Sequence, residues 1–386
     1  MKKKLIGLIL AIATVFTLAV PFTVSANPDP PTTELGDIVS TNVEYFPEYG
    51  FTVTEEMDVD NRIVLTLERE EEDIPRQEQD INVFEEAAII LEALGFSQLT
   101  IDTLTEEQAR NIAFDTQLEV AITYSTQNAL GNDVYLTPDR AYDIAERENN
   151  NEIASESLLP LSPLESMQLS GLITPFGNTP IRLAERNINF GVMTVRHFIN
   201  RDIRDHARLT FFTEMRWLSP PLHRRNDSLG SVASHISICH NSEMSLWFTY
   251  TRNNMHGNTL ISSQNFARQG TIQTRSYHQF RGVAGIFRFP YNIYRDCMIS
   301  GAPGNNVRHS NLTALLTWTG YVSQPSVTRT FESVGSHYHD NTLLPTLLPS
   351  NISISIGIPN TPFSIGLRRF GLESPTRRAV PMTVHR

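Results

Sequence analysis

The sequence predicts an α+β protein: a small acidic region of mixed strands and helices, followed by an all-β, sandwich-like domain. Three observations carry this. From residue 188 onward apolar residues recur at every second position, as in strands with one buried face. Between 84 and 145 the apolar spacing lengthens to that of short helices. A polar stretch over 149–187, with Pro160, Pro163, Pro175 and Pro180, then parts two halves of opposite charge. The expected divisions are 1–26, 27–148, 149–187 and 188–386.

Residues 1–26 have the form of a secretory signal peptide. Lys2-Lys3-Lys4 precede an apolar run from Leu5 to Val20, Pro21 interrupts it, and Val24-Ser25-Ala26 offers a cleavage site. No cysteine follows that run, which excludes a lipoprotein, and no later stretch is apolar for long enough to span a bilayer as a helix. The expected protein is extracellular, with no transmembrane segment after signal removal.

The region 27–148 opens with a Pro- and Thr-rich arm to about Asp37. Phe51–Val53 and Arg62–Leu67 read as short strands around a turn at Asp58–Asn61. Asp58, Asp60 and Asn61 resemble the start of a calcium loop but lack its glycine and distal glutamate. The acid run Glu68–Asp73 reads as a solvated face. Phe84, Ala87, Ala88, Leu91 and Leu94 form a helical stripe that Gly95 ends. Thr105-Glu106-Glu107-Gln108 is a capping box for a second helix, and Thr137-Pro138 starts a third, through Ala145.

In the β region, Leu209, Phe211, Met215 and Trp217 share one face of a strand. Val232, Ile236 and Ile238 do so in a second run, and Met244, Leu246, Phe248 and Tyr250 in a third. Cys239 is expected off the core, beside His235 and Ser237. Strands follow at Leu312–Trp318 and Ser326–Glu332, then a hairpin, Ile352–Ile358 and Phe363–Leu367, around Pro359-Asn360-Thr361-Pro362. The aromatic strand ending in Arg216-Trp217-Leu218, the Pro- and Arg-rich loop with Asp227 and Gly230, and the late Ile/Ser/Gly hairpin resemble uncharacterised exported proteins of Gram-positive bacteria. The resemblance spans roughly 188–367. It implies an all-β fold and no activity.

From Asn27 to Pro180 there are 32 acidic residues and 6 arginines; from Ile181 to Arg386, 10 acidic residues and 22 arginines, with all 11 histidines. Such halves either attract one another or leave the basic half for an anionic surface. Lysine occurs only at positions 2, 3 and 4, so the mature chain carries its positive side-chain charge on arginine, which stays ionised in alkaline surroundings.

There is no nucleophile elbow, zinc-protease helix, phosphate loop, dinucleotide fingerprint or Cys-x-x-Cys. No cofactor is indicated. Ser336-His337-Tyr338-His339-Asp340 puts His337 and His339 on one face of a strand, where they are candidate metal ligands with Asp340, His235, Cys239 or His240 as a third. Cys239 and Cys297 are a candidate disulfide that would close about 60 residues and contribute about 4 kcal/mol. Arg224-Arg225, Arg368-Arg369 and Arg377-Arg378 are forks suited to phosphate or carboxylate. The binding residues expected are Arg224, Arg225, Arg368, Arg369 and Trp217. No interleaved aromatic and basic motif favours nucleic acid. The sequence therefore points to a secreted binding module for an anionic cell-wall polymer. A metal-assisted extracellular hydrolase is the alternative. A pore-former comes third, for want of one long amphipathic hairpin.

Overall fold

The described parts of the computed structural model are residues 36–69, 81–127, 133–158, 191–202, 204–221, 227–253, 259–267, 271–277, 280–290, 306–322 and 332–339, with short strands at 353–355, 366–369, 372–373 and 382–385. In chain order the strands are β1 Ile38–Phe46, β2 Phe51–Asp58, β3 Arg62–Arg69, β4 Gln117–Gln127, β5 Asp133–Leu136, β6 Val192–Arg201, β7 Arg208–Ser219, β8 Asp227–Ala233 and β9 Ile236–Asn253. They continue as β10 Thr259–Ala267, β11 Thr271–Tyr277, β12 Phe280–Phe287, β13 Asn306–Val322, β14 Glu332–His339, β15 Ser353–Ser355, β16 Gly366–Arg369, β17 Leu372–Glu373 and β18 Met382–His385. The helices are α1 Val83–Ala93, α2 Gln98–Asp102, α3 Glu106–Phe114 and α4 Pro138–Leu158.

The fold is β-rich and its sheets are antiparallel. One ten-stranded sheet runs β1-β2-β3-β4-β6-β7-β13-β9-β10, with β5 added beside β4. A second runs β11-β12-β8-β14-β18, and a small third joins β15, β16 and β17. The large sheet crosses the boundary expected at 149–187. Pairs from Val120↔Phe198 to Ser125↔Met193 join β4 of the acidic half to β6 of the basic half. The acidic strands are therefore not a separate layer, and α4 runs on through Asn149, Asn150 and Asn151 to Leu158. Leu118, Val120, Ile122 and Tyr124 alternate as a buried strand face should, so the joining strand carries its own period-two pattern.

Alternation along β7 separates two cores. Phe212 faces the helices, in a cluster with Leu67, Ile90, Leu91, Ile112, Leu118 and Phe198. Phe211, Met215 and Trp217 face the second sheet, packing with Leu229, Val283, Leu316 and Trp318. The layers are helices, large sheet, second sheet.

The helical segment forms largely as its local chemistry dictates. Val83, Ala87, Ile90 and Leu91 are the buried residues of α1. Phe84, expected in that stripe, is 48% exposed, because it lies one residue, about 100° around the helix, from Val83. Gly95 adopts φ +72, and Phe96 N–H donates to Leu91 O while Gly95 N–H donates to Glu92 O, closing the helix. The capping box of α3 is complete: Gln108 N–H donates to Thr105 Oγ1 at 3.2 Å, and Thr105 N–H to Gln108 Oε1 at 2.9 Å.

The second apolar run of the β region divides between sheets. A turn at Ser234-His235, with His235 at φ +56, leaves Val232 in β8 of the second sheet and Ile236 in β9 of the large one. Irregular register between β9 and β13 at Tyr321/Val322 then reverses the alternation. Ile238 is consequently 51% exposed, and Cys239 packs against the inter-sheet core. Both expectations are corrected by that bulge.

The turn after β2 is closed by Asp58. Its carboxylate accepts from Gly36 N–H at 3.0 Å, Asp60 N–H at 2.9 Å, Arg62 N–H at 2.9 Å and Arg62 Nε–H at 2.7 Å. Burial alone would raise its pKa; the Gly36 and Arg62 hydrogen bonds and the guanidinium charge bring it below the ordinary value.

Candidate functional site

The sequence-derived site residues are spread over the fold. Arg224, Arg225, Asp340 and Cys297 lie outside the described residues. Arg368 and Arg369 are in β16, with their backbones opposite Glu373 and Leu372 of β17. Trp217 is only 2% exposed and packs in the inter-sheet core, and it also lines a cleft between α4 and the β7–β13 pair. Cys239 is a free thiol, and burial pushes its pKa up to about 11 despite nearby Arg281. That shift favours the protonated thiol at neutral pH.

His337 and His339 both lie in β14. His337 is fully buried, with Nε2 2.9 Å from Asp227 Oδ1 and its ring edge-on to Trp217 at 5.8 Å. The backbone of His339 lies opposite Asp227 in register. The residue that the structure brings to His337 is thus Asp227, which sequence reading placed only in a loop. Among the described residues no group of three or more His, Cys, Asp and Glu is placed to hold a metal ion.

A second buried histidine went unnoticed in the sequence. His197 of β6 is wholly enclosed between the sheets. Its Nδ1 is 2.9 Å from Thr213 Oγ1, and its Nε2 is 2.7 Å from Ser333 Oγ. Ser333 Oγ–H donates in turn to Val232 O at 3.0 Å. Burial presses the His197 pKa down to about 3, against a small rise from a Phe212 backbone hydrogen bond. The His197–Ser333 contact and the His337–Asp227 pair are both enclosed.

Gly335 makes the His197 contact possible. A Cβ at 335 would lie 2.8 Å from His197 Cγ. Gly335→Ala is expected to displace the ring from both hydroxyls and cost about 1–3 kcal/mol by overpacking. Urea unfolding measures it; an unchanged midpoint would show that the strands separate without cost.

Among the described residues, two clefts of about 580 Å³ each open on the helix-bearing face of the large sheet. The first lies between α4 and the β7–β13 pair. Tyr142, Asn149, Asn150, Arg216, His309 and Asn311 line it, along with Glu146. Asn149 Nδ2 donates to Leu218 O at 3.0 Å and ties α4 to β7. Asn311 sits at φ +52 where the β9–β13 register breaks between Ser310 and Thr313, a bulge that turns the rim. Among the described residues no carboxylate lies within ion-pair distance of Arg216.

The second cleft lies between the start of α3 and the other end of β7 and β13. Glu106, Glu107, Arg208, Thr210, Glu243 and Thr319 line it. Its arginine is already engaged: Arg208 pairs with Glu107 across the two halves and lies 3.6 Å from Asp202. Burial and a hydrogen bond with Asp202 raise the Glu107 pKa, and Arg208 opposes that rise. The expected attraction between acidic and basic halves is present here as a specific ion pair.

No protein-family model and no curated protein matches the chain. Among solved structures it is similar to the KRT10-binding region domain of the pneumococcal serine-rich repeat protein PsrP. The identity is 9%, over 40% of this chain and 81% of that one, at a TM-score of 0.19. It is also similar to the Clostridium perfringens NetB toxin in its membrane-inserted form, at 10% identity over 39% of this chain and 78% of that one, with a TM-score of 0.15. At such TM-scores neither overlay carries weight for fold or function.

Proposed function

We propose that this chain is a secreted binding module that holds an anionic cell-envelope polymer, with the cleft between α4 and the β7–β13 pair as its contact surface. The observation that supports this reading is Arg216. It lines an open cleft beside asparagine amides and a half-exposed Tyr142 ring, while the other cleft's Arg208 is neutralised by Glu107 and Asp202. A guanidinium with its fork available binds phosphate or carboxylate, amides meet hydroxyls, and an exposed phenol ring offers a stacking face.

The test is co-sedimentation of the mature chain with purified cell walls across a salt series, before and after teichoic acid is stripped. Arg216→Ala is expected to weaken binding about fivefold to tenfold, the loss typical of a central arginine contact. Binding should fall steeply with salt and persist at alkaline pH, where guanidinium remains charged. Binding indifferent to salt and to Arg216→Ala would defeat this reading and point to a neutral ligand elsewhere.

A further inference from the structure

The first strand of the large sheet is an unguarded edge. Every residue of β1 from Ile38 to Tyr45 is exposed, and only Phe46 is partly covered. Val39 is 57% exposed, Val43 60% and Tyr45 54%. Natural edge strands are usually blunted by proline, lysine, inward-pointing charge or a bulge. IVSTNVEYF has no proline or lysine and a single acid, Glu44, and its one register irregularity lies at its start, between Ile38 and Ser40, leaving Ser40–Phe46 regular. Nor is this a fraying end. Eight register pairs join β1 to β2, Val59 N–H donates to Asp37 O at 3.1 Å, and Gly36 N–H is held by the buried Asp58 carboxylate. The edge is a fixed template with its outer peptide groups presented for pairing.

We infer that β1 pairs antiparallel with β1 of a second copy of this chain, about a two-fold axis at Asn42, forming a reversible dimer with one sheet continuous across both protomers. The strand is self-complementary in that register. Over the regular part of the strand Thr41 faces Val43 and Ser40 faces Glu44, so no like charges meet. A cover from the chain's own preceding arm is disfavoured, because Pro28, Pro30 and Pro31 lack the N–H groups a paired strand needs. Nine residues on each side are well short of the roughly 20–30 of a stable interface, so the association is weak and concentration-dependent.

The experiment is sedimentation velocity on the mature chain over a micromolar concentration series, with hydrogen exchange of the β1 amides at each end of it. The expected result is a monomer–dimer equilibrium in which β1 gains protection with concentration. Asn42→Lys places two ammonium groups face to face on the axis and should weaken the dimer about tenfold, while Ser40→Lys, opposite Glu44 in both copies, should tighten it about threefold. Both residues are exposed, so circular dichroism and thermal unfolding should match the parent chain. A monomer throughout with β1 already protected would mean a cover in cis and overturn the inference. A monomer with β1 unprotected would also overturn it, as would a dimer that neither substitution alters.

Discussion

Glu214→Ala is expected to lower folding stability by about 3–5 kcal/mol, the cost of breaking a buried ion pair from one side. Glu214 is 1% exposed on the helix face of β7. Its Oε2 accepts from Ser97 N–H at 3.0 Å and from the Ser97 and Thr100 hydroxyls. Ser97 is the N-cap of α2 but makes no side-chain cap of its own, so a carboxylate from the sheet supplies the acceptor that this helix start lacks. Arg196 of β6 lies 3.6 Å from Oε1, and its guanidinium fits beneath Gly95, where a Cβ would stand 3.0 Å from Nη2. Truncation would leave Arg196 charged, buried and without this partner, and would release the first turn of α2. Urea unfolding monitored by circular dichroism reads the loss. Pairing the change with Arg196→Met should recover a substantial part, because removing both charges removes the uncompensated one. A loss under about 1 kcal/mol, or no recovery in the double variant, would mean that Glu214 does not hold the helices to the sheet.

Acid should destabilise the protein through His197 more than through a typical exposed histidine. The folded pKa, about 3, lies below the unfolded value near 6.5. Folding therefore favours the neutral ring. That contribution is fully present above pH 6.5 and is lost as pH falls from 6.5 toward 3, on the order of 3 kcal/mol by pH 4. The measurement is unfolding free energy against pH for the parent chain and for His197→Gln, whose amide hydrogen-bonds but does not titrate. The parent should lose the larger amount between pH 6.5 and 4, since carboxylate contributions are common to both and cancel in the difference. Parallel pH curves would show that the inter-sheet layer admits the charged ring.

Parts of the molecule were decided by short-range chemistry and were legible without coordinates. Thr105 and Gln108 are three residues apart and can only serve each other at a helix start, so the capping box survives unchanged. Gly95 ends α1 because a left-handed residue is needed there and glycine takes it at least cost. The alternation of Leu209, Phe211, Met215 and Trp217 fixed one face of β7. What no local pattern contains is which strand a given strand meets. The polar, proline-bearing stretch read as a domain boundary, yet β4 and β6 pair across it, since sheet hydrogen bonds are indifferent to intervening sequence length beyond a slowly growing closure entropy. The face of Cys239 turned on a bulge between two strands about 80 residues apart. Trp217 is as apolar on a surface as in a core, and only the second sheet above it makes it interior. His337 offered His339 as its nearest partner in sequence, but folding gave it Asp227, 110 residues away. The enclosed His197 and His337, the Glu214 anchor and the Arg216 cleft are all products of long-range pairing, whereas helix caps, strand period and the charge of each half belong to the sequence itself.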